Sequence, residues 1–116
     1  MKIAVAVDNG LVAQHFGHCE GFEVFNVENK QIQDNNFVQN PGHKPGFLPN
    51  FLGDLGVEVI MAGGMGGGAI EIFNERGIQV LTGITGNSQE NVEKFLAGKL
   101  QSTGSVCHEH QGNCEE

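Results

Sequence analysis

The first stretch of regular hydrophobic patterning follows Met1 directly: Ile3, Val5 and Val7 alternate with Ala4 and Ala6. Apolar residues on both alternations predict a central strand over residues 2–8, covered on both faces. A polar segment over 9–20 reads as a loop. Residues 21–27 form a second, Phe-rich strand, and Glu28-Asn29-Lys30-Gln31 reads as a hairpin turn into a third strand over 32–39. Asp34, Asn35 and Asn36 make that third strand polar, which places it at a sheet edge. Asn40-Pro41-Gly42-His43-Lys44-Pro45-Gly46 is a loop by its turn residues.

Helical spacing begins at Phe47, with Leu48, Phe51, Leu52 and Leu55 on one side and Pro49 confined to the first turn. Helices are expected over 47–55, 69–76 and 87–97, with strands over 57–62 and 78–82. Gly56, Gly77 and Gly98 each follow a helix, as stop signals do. Asn87 with Glu90 three residues on is a capping-box-like start for the last helix. The order β-β-β-α-β-α-β-α, an antiparallel meander followed by βα units, predicts an α/β fold. It implies a five-stranded mixed sheet with helices on both faces. Apolar residues thin out after Leu100, so residues 1–100 read as one domain and 101–116 as a flexible tail.

Composition narrows the partners. A chain of 116 residues can bury a core without staples, and its formal net charge is −8. With no run of Lys or Arg, the footprint needed to grip nucleic-acid phosphates is missing. No long apolar run predicts a membrane span or a signal peptide. The three cysteines, Cys19, Cys107 and Cys114, are an odd number and read as free thiols in a reducing cytoplasm.

Soft ligands carry the chemistry. His15, His18 and Cys19 lie in the loop after the first strand, His43 before the first helix, and Met65 after the fourth strand. In an α/β sheet the loops at the carboxyl ends of parallel strands share one crevice. Imidazole and thiolate there suit soft or borderline metals. A single loop histidine is commonplace; the clustering in adjacent loops is what makes His15, Cys19 and His43 candidate ligands, with His18 and Met65 as accessories. Gly64, Gly66 and Gly67 open a helix and offer backbone N–H groups to an anion. The match of this segment to a dinucleotide fingerprint is weak, because Val80-Leu81-Thr82 stands where an acidic ribose contact belongs. The tail places Cys107, His108, His110 and Cys114 within eight residues, a cluster able to take zinc or copper though not at zinc-finger spacing. Catalytic readings fare worse: Asp8, Glu58, Glu71 and Glu90 share no evident face, and no serine sits in a nucleophile elbow. The expectation is a binding protein, not an enzyme.

These residues also resemble a known family. Ile3-Ala4-Val5-Ala6-Val7-Asp8, His15-Phe16-Gly17-His18-Cys19, Asn40-Pro41-Gly42-His43, Ala62-Gly63-Gly64-Met65-Gly66, Gly77-Ile78-Gln79-Val80 and Gly98-Lys99-Leu100 carry the likeness. The chain is similar over about residues 1–100 to the dinitrogenase iron–molybdenum cofactor biosynthesis family, the NifX/NifY-like domain also found at the end of NifB proteins. The resemblance implies a ribonuclease-H-like three-layer fold. It also implies a carrier role for a metal or metal–sulfur cluster, whether an iron–molybdenum cofactor precursor or a molybdenum–copper sulfide. His15 and His43 are its most transferable positions. It implies metallocluster assembly proteins as partners. The competing expectation is a regulatory or adaptor domain docking on a partner such as a metal-dependent ATPase.

Overall fold

The computed structural model describes residues 1–42 and 46–100. The strands are β1 (Lys2–Asp8), β2 (Leu11–Val12), β3 (Gly21–Glu28), β4 (Gln31–Gln39), β5 (Val57–Met61) and β6 (Gln79–Leu81). The helices are α1 (Phe47–Asp54), α2 (Gly67–Glu75) and α3 (Ser88–Leu96). Among the described residues the sheet has six strands in the order β4-β3-β1-β5-β6, with β2 paired to β1 off that path. The expected count of five is corrected by β2, a two-residue strand that turns back on the end of β1 and pairs Val7 with Val12.

β1 runs antiparallel to β3 and parallel to β5, and β5 runs parallel to β6. The sheet is therefore mixed, as the meander-then-crossover order requires. The alternation in β1 sorts into two cores. Ala4 and Ala6 face Phe22, Val24, Leu48, Leu52, Ile60 and Phe73, which places α1 and α2 on that side. Ile3, Val5 and Val7 face Phe25, Val27, Val59, Met61 and Val92, which places α3 on the other. The two small alanines leave room for the Phe22 and Phe73 rings on the side where two helices pack.

Local signals hold the edges and ends. β3 and β4 are joined through Asn29 and Lys30, both in the left-handed region at φ 55° and 61°, the geometry of a two-residue hairpin whose twist matches its strands. β4 is the polar edge: all of its side chains are exposed or half-buried. At the start of α3 the Glu90 N–H donates to Asn87 Oδ1 at 2.9 Å, closing one open donor of the first turn. No helix of the described residues is long and apolar enough to cross a membrane.

The pairing fixes which loops meet. Val7 pairs with Gly21 and Gly21 with Gln39, so the end of β1, the start of β3 and the end of β4 lie together. Because β5 and β6 run parallel to β1, the segments after Met61 and after Leu81 emerge at the same end. The crevice expected from the strand order is formed by segments 9–20, 40–42, 62–66 and 82–87. Residue 43 and residues 101–116 lie outside the described residues, and with them His43, Cys107, His108, His110 and Cys114.

Candidate functional site

The loop after β1 is held by one apolar anchor. Phe16 is buried and sits against Phe22 and Phe73, with ring centroids 5.7 Å and 5.5 Å away. With Gly17 and His18 it makes a single 3-10 turn, closed by a hydrogen bond from the His18 N–H to the His15 carbonyl at 3.2 Å. Turning Phe16 inward turns its neighbour outward: His15 is exposed at the rim. Sequence reasoning missed this short turn, although an aromatic residue flanked by polar ones in a loop is the signal for such an anchor.

His15 is seated on the glycine segment. It bridges Gly64 in parallel fashion, and the Phe16 N–H donates to the Gly64 carbonyl at 3.1 Å. Backbone hydrogen bonds continue across the end of the sheet: Ala13 N–H to Ala6 carbonyl at 2.7 Å, Gly63 N–H to Ala13 carbonyl at 2.8 Å, and Gly83 N–H to Gly63 carbonyl at 2.8 Å. A Cβ at Gly63 would lie 2.9 Å from Gln14 Cα and 3.0 Å from the Ala13 carbonyl. Position 63 thus requires the absence of a side chain for the 13–16 segment to approach. Beside His15 lies an open cavity of ≈ 260 Å³ lined by Val12, Gln14, His15, Gly63, Gly64, Gly83, Ile84 and Thr85. Its lining holds no carboxylate, lysine or arginine side chain.

The remaining expected residues divide. His18 is exposed on the same turn. Cys19 is turned inward: it is 5 % exposed and belongs to the core beside α1 and α2. Burial, with the Asp8 carboxylate as the second cause, pushes its thiol up to about 11. A thiol in that setting behaves as a small hydrophobe and is protonated at neutral pH. In this conformation Cys19 does not share a surface with His15. Met65 is likewise 1 % exposed and packs in the same core rather than lining the crevice. Both have the signature of buried residues, a soft apolar side chain between small or polar neighbours, and that reading competes with ligation. Gly64 is the seat of His15, whereas Gly66 and exposed Gly67 start α2 with no side-chain cap on the first turn. That helix start keeps open N–H donors at the crevice end of the sheet. Among the described residues no group of three or more His, Cys, Asp or Glu side chains is positioned to hold a metal ion.

The carboxylates at the base of the loop are engaged. Asp8 Oδ1 accepts the Glu20 N–H at 2.7 Å, and Glu20 Oε1 accepts the Asn9 N–H at 3.0 Å. Their role here is to close the loop, not to present a ligand set. The arrangement offers an anchored imidazole, a weakly polar cavity and a helix start to a ligand approaching from the loop end.

Known proteins resemble the chain in sequence and in fold. The family model described as dinitrogenase iron-molybdenum cofactor matches residues 1–98. An uncharacterized protein of Methanocaldococcus jannaschii, MJ0580, is 32% identical over 106 residues, covering 87% of this chain and 90% of that protein. The crystal structure of PH0822 superposes with a TM-score of 0.83 at 31% identity, covering 90% of this chain and 96% of that one. The apo form of the orange protein from Desulfovibrio gigas matches with a TM-score of 0.76 at 24% identity, covering 90% and 93%, a likeness of fold.

Proposed function

Because the chain belongs to the dinitrogenase iron-molybdenum cofactor family, we propose that it binds and carries a metal–sulfur cluster as cargo for metallocluster assembly. The observation that carries this reading is His15, exposed on a core-anchored turn and seated on Gly64 beside the ≈ 260 Å³ cavity. A carrier needs few protein ligands and an open mouth, since it must also release what it holds. One imidazole on a fixed backbone, with a second from His43, suits that task better than a closed four-ligand metal centre. The uncapped start of α2 at Gly66 and Gly67 adds donors that favour the negative charge of a sulfide cluster.

Cargo of the iron–molybdenum or molybdenum–copper sulfide type fits the site in its donors and its weakly polar lining. The thiol of Cys19 fits only if the 15–20 segment opens, so His15 and His43 are the principal ligands of the reading, with His18 beside them. The role is binding and delivery to assembly proteins in the cytoplasm, without turnover. Anaerobic purification followed by elemental analysis, and titration of the apoprotein with tetrathiomolybdate and copper(I), tests it. Stoichiometric uptake with charge-transfer absorption is expected. A protein that stays colourless and metal-free through the titration contradicts it.

A further inference from the structure

Asn40 is half-buried where the end of β4 meets the loop after β1, and it is bonded on three sides. Its side-chain amide donates to the Cys19 carbonyl at 2.9 Å. Its backbone N–H donates to the Glu20 carbonyl at 3.1 Å. Its side-chain oxygen accepts the Gly42 N–H at 2.9 Å, folding 40–42 into an Asx turn. One carboxamide thereby joins the downstream end of the His15 turn to the segment 40–42. Gly42 lies at φ 135°, so the chain direction leaving that turn is itself set by a glycine conformation.

The upstream end of the His15 turn is already fixed, by Phe16 in the core and by the Gly64 carbonyl. Its downstream end, Cys19 and Glu20, lies just before β3, which begins at Gly21. That end is held by the buried Cys19 side chain, by β1, whose Val7 carbonyl and Asp8 Oδ1 both accept the Glu20 N–H, and by Asn40 at the end of β4. The β1 contacts take the Glu20 N–H; Asn40 donates to two successive carbonyls, those of Cys19 and Glu20, which fixes the orientation of the peptide planes there. A short turn carrying an exposed imidazole keeps its direction only if both ends are held.

We infer that Asn40 is a positioning residue for the candidate site, bridging the His15 turn to the 40–42 segment so that His15 is presented in one orientation. This rests on the cluster-carrier reading of His15. Asn40 touches no cargo and acts through Cys19, whose carbonyl it bonds and whose Sγ lies 3.9 Å from its amide, and through the Gly42 N–H.

The test is a double-mutant cycle read as affinity of the folded apoprotein for tetrathiomolybdate with copper(I). The variants are Asn40→Ala, Asn40→Asp, His15→Ala and the combinations with His15→Ala. Asn40→Asp keeps an acceptor for the Gly42 N–H but has no amide donor for the Cys19 carbonyl, so it isolates the bridge. Each Asn40 variant should weaken binding by roughly tenfold, the scale of one or two lost hydrogen bonds. In the Asn40→Ala background, His15→Ala should cost clearly less than it does alone, because a mispositioned imidazole has less to lose. A purely structural role would lower the unfolding midpoint while leaving folded-state affinity and additivity unchanged, and that outcome overturns the inference. Wild-type affinity in Asn40→Asp overturns it as well. If His15→Ala alone binds as the wild type does, the carrier reading of His15 itself has failed. Loss in His15→Ala with none in Asn40→Asp removes only the role of Asn40.

Discussion

Two segments build the loop end of the sheet, and they do so by opposite means. Around the core-packed Met65, the glycines of residues 63–68 contribute by lacking side chains: Gly63 lets the neighbouring backbone approach, Gly64 accepts it, and Gly67 and Gly68 leave the start of α2 uncovered. Residues 15–20 contribute by having one large side chain: Phe16 enters the core, and His15 and His18 are left outside. The first segment supplies a surface and the second a ligand. The lesson is that His15 is displayed because its neighbour is buried, so exposure of the site and stability of the fold share one residue. Cys19 sharpens the contrast, since it shares the turn's chain segment yet follows Phe16 inward.

The largest expected effect breaks the second segment. Phe16→Ala removes a ring that is 4 % exposed and packed on two others, and should cost about 3–5 kcal/mol of stability by denaturant unfolding. A loss under about 1 kcal/mol would mean that the turn is not anchored in this way. Next comes the first segment. Gly63→Ala drives a methyl against the Ala13 and Gln14 backbone and should cost about 1–3 kcal/mol. Gly68→Ala meets nothing within 4 Å and should be neutral or stabilising by up to about 1 kcal/mol. Equal effects at the two positions would erase the distinction drawn between a seat and an open helix start.

A smaller effect is read against pH. The Cys19 thiol is raised from 9.0 to about 11 by burial and by Asp8, so the folded state favours the protonated form. Its contribution to stability is fully present below the unfolded-state value of 9.0 and is lost as pH rises through about 11. Unfolding measured across that window should show a decline that Cys19→Ser reduces. An unchanged decline would assign it to other groups. A further small effect lies outside both segments: Asn87→Ala should cost about 1 kcal/mol through the lost cap on the Glu90 N–H.

Much of the fold was legible because its signals are local. β1 is read from Ile3 to Val7 by alternation, the hairpin from Asn29-Lys30, and α3 from Asn87 and Glu90. β2 was not legible, since two residues carry no period, and Leu11-Val12 becomes a strand only because the end of β1 offers open backbone groups. At the site, the gathering of loops followed from strand order. The inward turn of Cys19 and Met65 did not: loop position argues for exposure while residue type argues for burial, and tertiary packing decided for type. The bridge made by Asn40 was hidden for the same reason, as it joins residues 21 apart in sequence.

The central claim is that His15, on its anchored turn, holds the cargo. The most direct measurement is titration of His15→Ala, alone and combined with His43→Ala, with tetrathiomolybdate and copper(I), following charge-transfer absorption and bound metal in protein whose folding is verified by its unfolding midpoint. An exposed side chain can be truncated at little cost to the fold. His15→Ala should therefore keep a near-native midpoint while losing roughly tenfold or more in affinity, and the double variant should lose more. Wild-type spectrum, affinity and stoichiometry in both variants would contradict the account.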